Sequence, residues 1–149
     1  MTGSSKRPLG VTIVAGVNAL GWFATLGFWL ALHLEQRIPV QAAATSYWEH
    51  AYVGTIRGFA VADSLWSNAL LLASVVGLWS LRPWGWTTAL MANAIWIYSM
   101  TVAIVRDLLT QVTAGMVFFV PFALFALGSS VYLWRQRQRF WVQSLEDAA

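Results

Sequence analysis

An all-α integral membrane protein is the fold class this sequence predicts, and three observations predict it. Of its 149 residues, 58% are hydrophobic and only 10% are charged, against ~25% charged in soluble domains. The charges are also bunched, leaving four long stretches free of Asp, Glu, Lys and Arg: 8–34, 64–81, 83–105 and 108–134. Third, most of the 10 Trp fall near the ends of these stretches, where an amphipathic indole prefers to sit at a membrane interface. A chain this short makes one domain, residues 1–149,.

Four transmembrane helices are expected in an up-down-up-down bundle. A bilayer core of ~30 Å needs about 20 residues at ~1.5 Å each. The first, third and fourth stretches meet that length; the second does so once Gly58 to Ala62 extend it and Asp63 is admitted. The expected helices are 9–33, 58–81, 85–106 and 113–134. The first exceeds the ~7–15 apolar residues of a cleavable signal peptide, so it is read as a permanent span. Arg82-Pro83-Trp84-Gly85 makes a tight turn, which sets helices two and three antiparallel. The connection 34–57 carries Thr45 to Tyr52 with helical spacing, predicting a short helix lying on the outer interface. The tail 135–149 is expected to carry helix four on towards anionic headgroups.

Orientation follows from the bases. An inside N-terminus places Lys6, Arg7, Arg82, Arg135, Arg137 and Arg139 in the cytoplasm and Arg37, Arg57 and Arg106 outside. That split obeys the positive-inside rule. The expected location is the cytoplasmic (inner) membrane, with both termini cytoplasmic.

Several function classes are excluded. Absence of cysteine removes disulfides, thiolate metal sites and Cys nucleophiles. Phosphate loops, dinucleotide fingerprints, nucleophile elbows and zinc-protease motifs are missing. The bases are scattered between apolar stretches, which argues against nucleic acid. No catalytic residue, metal or cofactor is assigned. The expected partners are the lipid bilayer and either another membrane protein or a second copy of this chain.

Polar side chains inside a bilayer are costly, so each needs an explanation. Counting heights from the middle of the tight turn, position 83.5, puts Asn68 level with Tyr98 and Ser74 level with Asn93. It also puts Asp63 within about 3 Å of Arg106. Asn18, Ser67, Asn68, Asn93, Tyr98, Asp63 and Arg106 therefore form the candidate ligand or ion site. One reading makes the three Asn interhelical hydrogen bonders; the other makes them the lining of a cavity walled by Trp22, Trp66, Trp96 and Tyr98. Asp63 pairs with Arg106 or Arg57, or binds a cation or proton, or anchors a ligand. His33, Glu35, Glu49, His50, Arg57 and Asp107 form a second, ionisable cluster, expected as a solvated outer rim.

The leading functional expectation is a non-catalytic accessory or scaffold subunit of a membrane complex. The alternative is a proton- or cation-coupled transporter or binder of small amphiphiles that uses Asp63. The third is a lipid- or quinone-directed enzyme at the outer face.

Overall fold

The computed structural model describes residues 7–34, 46–110 and 114–146. Among these residues 94% are helical and none is in a strand. Three helices are long and apolar enough to cross a membrane, Leu9–Ala31, His50–Trp79 and Pro83–Leu109, and Phe119–Arg135 is a shorter apolar helix. This is a helical membrane protein.

Helix α1 (Leu9–Leu34) starts behind Pro8, whose carbonyl accepts from the amides of Val11 and Thr12. The next helical run is unbroken from Tyr47 to Trp79: α2 (Tyr47–Ala62), a π turn (Asp63–Ser67) and α3 (Asn68–Trp79). The segment expected as a separate short helix is thus helical from Tyr47, but it runs straight into the second helix. At the π turn the amide of Asn68 donates to the carbonyl of Asp63, five residues back. That extra residue per turn re-aims the faces of α2 relative to α3.

The α3–α4 connection is tighter than the sequence suggests. The amide of Arg82 donates to Gly77 O at 2.9 Å and that of Leu81 to Leu78 O at 3.2 Å, the paired bonds of a Schellman helix end. Leu81 takes the left-handed position with φ 51°, which disfavours a side chain, but its side chain is buried with Val11, Val14 and Leu133. Pro83 opens α4 (Pro83–Thr110), a first-turn position where its missing N–H costs nothing.

The turn is therefore centred on Leu81, not on position 83.5. Immediately beyond it the backbones of Gly77 and Gly85 lie in direct contact, so close that a Cβ on either would overlap the other. Counting out from that contact resets the heights. Asn68 lies ~9 residues from it and Asn93 ~8, so these two come level,. Asp63 falls level with Ser99, ~14 residues out on each helix,. Arg106 is ~7 residues farther along, about 10 Å beyond Asp63, and Tyr98 is about 6 Å from the level of Asn68. The expected pairings of Asn68 with Tyr98, Ser74 with Asn93 and Asp63 with Arg106 are corrected accordingly.

Helix α1 packs on α3, and α5 (Ala114–Arg135) packs on α4. Trp86 stitches the second pair by donating from Nε1 to Leu133 O at 2.9 Å. The tail does not continue α5. The chain breaks at Gln136 and α6 (Arg137–Glu146) packs on α4 and α5. Phe140 is fully buried among Val11, Leu78, Leu81 and Leu133, while Trp141, Val142 and Leu145 are exposed. Burial of one large ring outweighs a longer straight helix here.

Gly77→Val is expected to push the α3 and α4 backbones apart and destabilise the bundle by about 1–3 kcal/mol, the usual cost of overpacking. Thermal unfolding in detergent followed by circular dichroism checks this; an unchanged midpoint would mean the helices separate without cost.

Candidate functional site

Small residues create the site before polar ones equip it. Gly21, Ala24 and Thr25 on α1 face Ser99 and Ala103 on α4, and little side-chain volume fills the space between them. The result is a cavity of about 570 Å³, within the ~300–1,000 Å³ range of small-molecule sites. It runs from the level of Trp96 to that of Arg106, roughly 15 Å along α4.

Each helix contributes residues at 3- and 4-residue steps, one face of a helix. Phe28 and Trp29 continue the α1 wall; Tyr52, Ile56 and Phe59 form the α2 wall, and Asp63 follows on the same stripe. Phe119 and Phe122 close the α5 side. The floor is Trp96, whose indole lies on Gly21 and meets Phe122 edge-to-face at 5.7 Å and 88°. A side chain at position 21 would collide with that indole. Among the described residues α2 packs only loosely against α1 and α4, and the cavity lies between these three helices.

Asp63 is held at the cavity wall by two neutral donors. Trp29 Nε1–H donates to Oδ2 at 3.1 Å, and Ser67 Oγ–H donates to Oδ1 at 3.0 Å. Arg106 also lines the cavity, but its Nε and Nη2 fork onto Oδ1 of Asp107 at 2.9 and 2.7 Å. The expected pairing of Asp63 with Arg106 or Arg57 is thus replaced by an indole and a hydroxyl. Asp107, expected on a solvated rim, is buried at 2% exposure, while Arg106 is 51% exposed.

The Asn residues divide. Asn18 Nδ2 donates to Ser74 Oγ at 2.8 Å, joining α1 to α3. Asn93 Nδ2 donates to Ser129 Oγ at 3.0 Å and Ser130 Oγ at 3.1 Å, joining α4 to α5. Asn68 is buried at 4% exposure, and neither of its amide atoms has a partner among the described residues. None of the three lines the cavity.

Of the remaining candidates, Tyr98 and Trp66 point outward, with Tyr98 63% exposed. Trp22 packs beside the cluster of Leu71, Ala92 and Trp96, so Trp96 alone of the four expected aromatic walls borders the cavity. His50 and Arg57 are exposed. Glu35 and the side chains of His33 and Glu49 lie outside the described residues. Among the described residues, no three His, Asp or Glu come close enough to share a metal ion.

The sequence reading missed Trp29 as a partner of Asp63 and missed the α2 wall. The stripe Tyr52, Ile56, Phe59, Asp63 has helical spacing and was legible; its assignment to two separate elements hid it. Comparison with protein-family models, curated proteins and solved structures finds no match to this chain.

Replacing Asn93 with Ala removes its two hydrogen bonds to α5 and is expected to lower stability by about 0.6 kcal/mol, up to ~1.7, the measured scale for such bonds in membranes. Equilibrium unfolding in mixed detergent reads the change, and a gain in stability would overturn the bonding role.

Proposed function

We propose that this protein binds a small amphiphilic molecule in the cavity beneath α2, as a carrier or transporter component rather than as an enzyme. The observation that carries the reading is a space of about 570 Å³, walled by aromatic and aliphatic side chains and equipped with the carboxylate of Asp63 and the guanidinium of Arg106. Apolar walls with a few placed polar groups are the usual composition of a small-molecule site. An apolar tail suits the walls, and a polar head suits the Asp63 and Arg106 edge. Roofing by α2 favours a small ligand over a fifth helix, which needs a groove ~10–12 Å wide.

The topology that accompanies this reading is four crossings, with α5 as the fourth, in the cytoplasmic membrane. Both termini lie in the cytoplasm, so the cavity opens towards the outer leaflet; the distribution of bases supports that direction. An accessory role draws on the exposed aromatic surface of the bundle, but any lipid-facing bundle exposes such a surface. The cavity is the more specific feature, and it favours binding.

Native mass spectrometry of protein extracted gently from its own membrane tests the reading. A reproducible small mass is expected on the wild-type chain and is expected to be lost in Ala103→Trp, which fills the cavity, with the unfolding midpoint unchanged. Retention of the same mass by the filled variant would overturn the assignment.

A further inference from the structure

The geometry points to a lipophilic ammonium ion as the ligand class, with Asp63 as its counter-ion; this rests on the binding reading above and narrows it. Three observations carry the step. First, the two charged groups bordering the cavity are not equivalent. Arg106 is matched by Asp107, its immediate neighbour, through two hydrogen bonds to one carboxylate oxygen. Asp63 is matched by an indole N–H and a hydroxyl, both neutral. Second, Arg106 stands about 10 Å farther along the cavity than Asp63, so it does not act as the partner that Asp63 lacks. Among the described residues no cation pairs with Asp63, so its negative charge is left to be balanced by whatever enters.

Third, the neutral donors leave the carboxylate able to accept more. A carboxylate offers about four acceptor positions, and Trp29 and Ser67 occupy one on each oxygen. An ammonium N–H supplies both the missing positive charge and the missing donor. Trp29, Phe28, Tyr52 and Phe59 border the same space, and aromatic rings attract cations. An anionic head would meet Asp63 repulsively, and a neutral head would leave its charge unbalanced.

The test uses three probes of identical alkyl chain, differing only in the head: a primary alkylammonium, the corresponding alcohol and the corresponding carboxylate. Binding to the full-length protein in uncharged detergent is read by quenching of tryptophan fluorescence, with Ala103→Trp as the cavity-filled control. The ammonium is expected to bind at least ~10-fold more tightly than the alcohol, as a charge-assisted hydrogen bond requires, and the carboxylate most weakly. In Asp63→Asn the ammonium advantage is expected to fall to within about threefold, while alcohol binding persists and shows that the variant is folded. If Asp63→Asn does not fold, the order of the three heads on the wild-type chain decides. Alcohol or carboxylate binding as tightly as ammonium, with all three lost in Ala103→Trp, would overturn the charge assignment and leave the cavity reading standing. Binding of no probe, or binding indifferent to Ala103→Trp, would overturn both.

Discussion

The direct contact of the Gly77 and Gly85 backbones fixes the register of the two central helices, and the other elements are hung from that register. With no side chain on either residue, α3 and α4 approach at the closest distance their backbones allow, the arrangement small residues make possible between membrane helices. The Schellman end at Arg82 and the helix start at Pro83 deliver the two glycines to the same point. Helix α1 then packs on α3 and α5 on α4, so a change in the central register would displace all four.

The same register decides the electrostatics of the cavity. It places Asp63 beside the Ser99 level of α4 and sets Arg106 about two turns farther out. Had the chain turned at position 83.5, carboxylate and guanidinium would have faced each other and closed an ion pair across the space. Instead Arg106 folds onto its own neighbour, Asp107, and Asp63 turns to Trp29 and Ser67. A shift of a few residues at one turn therefore separates a structural salt bridge from a charged wall facing an open volume.

Much of the architecture was legible from composition and spacing. Three of the four apolar runs fall in helices long and apolar enough to cross a membrane, and the fourth falls in the shorter apolar helix Phe119–Arg135,. Of the three Asn read as interhelical hydrogen bonders from the cost of a bare amide in an apolar bundle, Asn18 and Asn93 are bonded across helices, while Asn68 is buried with no partner among the described residues. The failures share a cause. The second helix was expected from Gly58 with Asp63 inside it, and it is helical there, but its continuation back to Tyr47 and the π turn at Asp63–Ser67 carry no local signature. The tail looked like a continuous helix because nothing in Arg135-Gln136-Arg137 forbids it; burial of Phe140 against α1 and α3 residues is a tertiary effect with no local signature. Asp107 looked solvated because a charge at a helix end normally is, and Arg106 beside it was read as the partner of a different acid.

Part of the apolar face of α2 borders the cavity, and that gives the proposed site its thermodynamic sense. Tyr52, Ile56 and Phe59 border the cavity, while among the described residues α2 packs only loosely on α1 and α4. An element with few packing contacts sits at the low-stability end of a structure. A ligand filling the space would supply the missing contact to α2, α1, α4 and α5 at once, so its binding energy and the ordering of α2 are one quantity rather than two. The π turn is the natural place for that coupling to act. It carries both the hydrogen-bonded carboxylate and the extra residue that sets where α2 points.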